Sequence, residues 1–158
     1  MIARRGGKAP EIDRASAVMD HLDQFGLFIR THAVGMHRAI SDVDPAAIQY
    51  LTQFFTTLEQ RLTPYSKEAF LEILGQPETE NIAGAILAHS TQAPKTPPFD
   101  RMPAETADAI YYLLDDLLRL SVCWAADARA SCLSLDHVKE TIGMDSELAY
   151  LYDKVCKT

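Results

Sequence analysis

Residues 104–131 read AETADAIYYLLDDLLRLSVCWAADARAS. On a helical wheel Asp108, Asp115, Arg119 and Asp127 gather in one polar stripe, while Ile110, Leu113, Leu114, Leu117, Leu118, Leu120, Val122 and Trp124 fill the remaining arc. A helix that is apolar over more than half of its circumference belongs at the centre of a bundle. Asp115, Asp116 and Arg119 break its apolar run well short of the ~18 residues that a membrane crossing requires, so the segment reads as a core helix and no membrane partner is expected.

Two further long helices frame this one. From Ile12 to Ile40 the residues Ala15, Val18, Leu22, Phe25, Ile29, His32, Met36 and Ala39 recur at steps of three and four, the helical period. Gly26 and Gly35 inside that run each cost about 1 kcal/mol against Ala, which suggests close approach by a second helix. Asp44-Pro45 then supplies an N-cap followed by Pro at the first helical position, and a helix over 45–62 carries the seam Ile48, Leu51, Phe55, Leu58 and Leu62. Its opposite face, Gln49, Thr52, Gln53, Thr56 and Gln60, is polar but uncharged.

Short helices follow Thr63-Pro64 and Pro77, and the stretch 90–103 (STQAPKTPPFDRMP) has four Pro in fourteen residues and reads as an extended crossover. Ser134 and Asp145 cap two short closing helices. No segment alternates with period two, so no sheet is expected. The fold class is therefore all-α: an irregular helical bundle framed by long helices at 12–40, 45–62 and 104–131. Residues 1–11 read as a flexible leader and 12–158 as a single helical domain.

The chain has 158 residues, 47% hydrophobic and 23% charged, a composition that excludes wholesale disorder. Its net charge is -7, with six Lys/Arg against four Asp/Glu in residues 1–38 and nine against eighteen beyond. An acidic body repels phosphate, which disfavours nucleic acid as a partner. Cys123 and Cys132 lie nine apart on one expected helix, roughly 13 Å along its axis and too far to bridge. With Cys156 the count is odd, which points to a reducing, cytoplasmic setting with Cys123 and Cys132 as small core residues.

Four constellations carry chemistry or binding. Glu105 and Asp108 stand at i and i+3 near the start of the central helix, with Leu133-Ser134-Leu135-Asp136 further on. This pattern resembles the second half of the all-α nucleoside triphosphate pyrophosphohydrolases, the MazG-like and phosphoribosyl-ATP pyrophosphohydrolase group. The resemblance implies carboxylates that hold Mg²⁺ for attack on a pyrophosphate linkage, here Glu105 and Asp108 facing Glu78 and Glu80, with Asn81 where the family has its second motif Glu. The bland alternative is that carboxylates in a first helical turn meet the positive end of the helix dipole.

Second, Val138 to Tyr152 has the outline of a helix-turn-helix DNA reader, but Ser146 to Asp153 offers Ser, Glu, Tyr and Asp where base edges need Arg, Lys, Asn or Gln. A hairpin closing the bundle explains the same pattern. Third, the histidines have no metal spacing: His32 reads as a hydrogen-bonded boundary residue, and Asp115 with Arg119 as an i,i+4 surface pair. Fourth, Leu27 and Val34 lie off the first helix's stripe, and Tyr50 and Phe54 sit at the edge of the second's. Surplus apolar surface on long helices marks a partner or self-association seam, unless another helix of the same chain folds over it. The leading expectation is a non-catalytic protein, with no cofactor or metal, that binds another protein or itself through Leu27, Val34, Tyr50 and Phe54. The pyrophosphohydrolase and the DNA-binding regulator are the alternatives.

Overall fold

The computed structural model describes residues 9–63, 67–89 and 92–156, without the side chains of 9–19 and 67. Seven helices appear among them: α1 (Ala9–Met36), α2 (Pro45–Leu62), α3 (Lys67–Ile73), α4 (Glu80–Ala88), α5 (Ala104–Asp127), α6 (Leu135–Met144) and α7 (Ser146–Cys156). The fold is all-α. Residues 1–8 of the expected leader lie outside the described residues, and helix already begins at Ala9, inside the span assigned to that leader.

One hydrophobic cluster draws buried residues from all seven helices, on both sides of the Pro-rich crossover. Phe25, Ile29 and Ala33 of α1, Leu51, Phe55 and Leu58 of α2, and Leu113, Leu114, Leu117 and Leu118 of α5 are its centre. Gly26 marks the α1–α2 crossing: a Cβ there would stand 3.2 Å from Ile48 Cγ2, whereas Gly35 has open space beside it. The N-terminal end of α5 is pinned to α2 by the buried Thr106 hydroxyl, which donates to the Leu62 carbonyl at 3.1 Å.

A short sheet is present where none was expected. Strand β1 (Asp42–Val43) runs parallel to β2 (Cys132–Leu133), and Ser41 N and Asp44 N extend the pairing by donating to Ser131 O and Leu133 O, each at 2.8 Å. Val43 and Leu133 are buried, and each immediately precedes a helix N-cap, Asp44 or Ser134. The pair thus ties the α1–α2 loop to the α5–α6 loop. Two residues per strand are too few to show a period of two, which is why the pattern is invisible in sequence.

Two helices stop earlier than their apolar periodicity. After Met36 the chain turns, with Ile40 N donating to His37 O at 3.1 Å, so that Ile40 reaches the core from a loop. After Asp127, Arg129 adopts φ 62, the Arg129 N–H donates to Ala126 O and the Ala130 N–H to Ala125 O, both at 2.9 Å. This is a Schellman closure with Arg in the left-handed position that favours glycine. Arg129 is exposed, so Arg129→Gly should raise stability by about 1 kcal/mol in denaturant unfolding, by removing left-handed strain.

The early stop also corrects the cysteine reading. Cys132 lies on β2 rather than on the central helix, and Cys123 is exposed rather than in the core. The crossover is irregular over 92–98 but closes in a 3-10 turn at Phe99–Arg101, where Phe99 is buried against Phe25, Phe28 and Tyr111.

The hairpin α6–α7 closes one end of the bundle. Ser134 and His137 form a reciprocal capping box at the start of α6, and Asp145 Oδ1 accepts from the Glu147 and Leu148 N–H groups, each at 3.0 Å, at the start of α7. Arg61 of α2 donates to the Lys154 carbonyl at 3.0 Å, placing a cation at the negative end of α7. No helix among the described residues is long and apolar enough to cross a membrane.

Candidate functional site

Gly26 lets α1 approach α2 at Ile48, and a groove of about 560 Å³ lies between the two helices along this contact. Leu22, Asp23, Gly26 and Leu27 line one wall, and Ile48, Gln49, Thr52, Gln53 and Thr56 the other. Leu27 is 63% exposed and Leu22 37%. Among the described residues Asp23 is the only ionisable group in the lining, so the described part of the groove is nearly neutral on a chain of net charge -7. Thr52 Oγ1 is buried there with no hydrogen-bond partner among the described residues, an unmet acceptor and donor that costs about 1–3 kcal/mol.

The four residues expected to form one seam divide between two places. Leu27 faces the groove and Val34 is half-buried further along α1. Phe54 is only 2% exposed, because Tyr152 of α7 packs edge-on against it at 5.2 Å and against Tyr50 at 5.4 Å. Burial and the hydrogen bond with Tyr152 push the Tyr50 phenol well above its ordinary value. Lys139 Nζ stands over the Tyr50 ring at 5.7 Å. At this end, the covering helix of the same chain is present.

The carboxylates of the pyrophosphohydrolase reading do not assemble. Glu78, Glu80 and Glu105 are exposed, and Asp108 turns to the crossover, its Oδ1 accepting from the Ala93 N–H at 3.1 Å. Among the described residues no three His, Cys, Asp or Glu side chains are grouped to hold a metal ion. Glu147 of α7 meets α4: it accepts from Asn81 Nδ2 at 2.7 Å and Ile82 N at 2.9 Å.

The α1–α5 contact holds a polar cluster. His32 Nε2 donates to Asp115 Oδ1 at 2.7 Å, Arg119 Nη2 donates to Asp115 Oδ2 at 3.0 Å, and the imidazole stacks on Phe28 at 4.8 Å. His32 is thus a hydrogen-bonded boundary residue and Arg119 the partner of Asp115, as the spacing suggested. Burial pushes the Asp115 carboxyl up, but its hydrogen bonds from His32 and Arg119 outweigh this and hold it below the ordinary carboxylate value. A depressed folded-state value contributes stability above the unfolded value of ~3.9 and loses it as pH falls through the folded one. Asp115→Asn should therefore cost about 1.5–3 kcal/mol at pH 7, and the gap from the parent should close below about pH 4 in urea unfolding. An undiminished gap in acid would contradict the assignment.

Sequence reasoning missed a second apolar surface. Leu120 and Trp124, placed in the buried arc of the central helix, are 42% and 39% exposed and face Met144 of α6, which is 64% exposed. No protein-family model matches the chain, and no curated protein matches it.

Proposed function

We propose that this protein is a non-catalytic helical module that works by protein–protein contact, with a second copy of itself as the occupant of the α1–α2 groove. The observation that carries the reading is Leu27, largely exposed beside a groove whose lining is apolar or uncharged apart from Asp23. Two chains of charge -7 repel one another, and a nearly neutral face is where they meet at least electrostatic cost. In a two-fold contact each side chain is used twice, so Leu22 and Leu27 supply four leucines. Only their exposed fractions, 37% and 63%, are newly buried, about one leucine per copy and ~3–6 kcal/mol for the pair of chains, so they contribute to the contact and the rest of the groove lining must offset the remaining association entropy.

The test is Leu27→Asp. Assembly should weaken at least tenfold in sedimentation, while circular dichroism and the thermal midpoint stay nearly unchanged, because the side chain already faces solvent. Loss of fold in this variant, together with a monomeric parent, would remove the support.

A further inference from the structure

The surface between α5 and α6 differs in kind from the α1–α2 groove. Leu120 and Trp124, one helical turn apart on α5, and Met144 on α6 line a depression of about 310 Å³. Trp and Met are side chains that dominate binding surfaces, the first by buried area and the second by adaptable shape. The indole is held in place before any partner arrives, since its Nε1–H donates to Glu140 Oε1 at 3.2 Å. The ionisable side chains with oxygen at this lining are Asp127 and Asp145, and among the described residues no Lys or Arg belongs to it. One turn before Leu120 is Asp116, and burial together with the nearby Asp145 and Asp115 charges holds its carboxyl above the ordinary value. Asp127 and Asp145 at the lining, with Asp116 one turn away, give this face a negative character, which the α7 N-terminus at Asp145 and Arg119 near Asp116 offset in part.

We propose that this α5–α6 groove docks a basic amphipathic helix of a partner protein, with the apolar stripe on Leu120, Trp124 and Met144 and Lys or Arg side chains against Asp127, Asp145 and Asp116. A second copy is a poor fit, because it would bring these carboxylates together. Phosphate-bearing surfaces, nucleic acid or anionic lipid, are repelled by the same charges. Helix-in-groove recognition requires an apolar trough about one helix long, and Asp116 to Asp127 spans roughly 16 Å, three turns of the incoming helix.

Trp124 is the chain's one tryptophan and lies in the site, so its fluorescence reads occupancy directly. The probe is a Trp-free helical peptide of about five turns, with Leu on one face and Lys elsewhere. Titrated into the full chain, it should shift Trp124 emission to shorter wavelength in a saturable way. Affinity should fall about tenfold or more in ~0.5 M salt, as well as in Asp127→Asn. Leu120→Asp should abolish the shift although it adds negative charge, and Met144→Asp, at a more exposed position, gives the same reading should the first variant disturb α5. Unchanged emission at excess peptide would overturn the proposal. So would binding retained in both Asp variants, equal binding by a Leu/Glu peptide, or a shift that depends on protein concentration alone.

Discussion

Replacing Phe54 with Ala should lower the unfolding free energy by about 3–5 kcal/mol, whereas Leu27→Ala should change it by no more than about 0.5 kcal/mol. The ring is 2% exposed and enclosed by Phe55 at 4.7 Å and Tyr152 at 5.2 Å, so truncation leaves a cavity bounded by two rigid aromatics that cannot collapse into it. For a chain of this length, 1 kcal/mol moves the midpoint by about 2–4 °C, and the Phe54→Ala loss should appear as a fall of roughly 10 °C. Both residues are surplus to their helical seams in sequence, and the two variants separate an internal contact from a free one. Similar midpoints for the two would contradict the packing of α7 on α2.

Deleting residues 134–158 should leave a chain without cooperative unfolding. The hairpin contributes Val138, Ile142, Leu148, Leu151 and Val155 as buried aliphatic side chains, and it covers Phe54 and half-covers Tyr50. At ~1.5–3 kcal/mol each, five such side chains account for ~7–15 kcal/mol, the whole net stability of an ordinary domain. Lost with them are the Arg61 contact to the end of α7 and the Glu147 contacts to Asn81 and Ile82. A hairpin whose task was to read DNA from the outside of a finished bundle would be removable. A sharp thermal transition in the truncated chain would favour that arrangement.

The helical seams were legible because burial on one face forces apolar residues to recur every three or four positions. Leu51, Phe55, Leu58 and Leu62 are all buried, as their spacing requires. What periodicity cannot show is where a helix stops while its apolar pattern continues. Ile40 is buried from a turn, and the end of α5 is set by the left-handed Arg129, a position where glycine would have signalled the stop and arginine does not. Nor can one helix's wheel reveal how many neighbours it has. Phe54 is core because α7 arrives from about a hundred residues away, and Leu120 and Trp124 stay exposed because no helix among the described residues covers that arc. Of the candidate sites, Leu27 was legible as a residue off its stripe; the α5–α6 groove was not, because its leucine and tryptophan looked like part of a wide buried face. The Glu105 and Asp108 motif shows the converse. Two carboxylates at i and i+3 are set by one helix, but a metal site needs a second helix to bring ligands to them, and α4 meets α7 through Glu147 instead.

The central claim is that the nearly neutral α1–α2 groove joins two copies of the chain. Sedimentation equilibrium of the unmodified protein from low to high micromolar concentration measures this most directly. A mass that rises from that of one chain, 17.6 kDa, toward twice that value is the expected result, with the rise absent in Leu27→Asp. A mass that stays at one chain throughout, or a dimer that Leu27→Asp leaves intact, would contradict it.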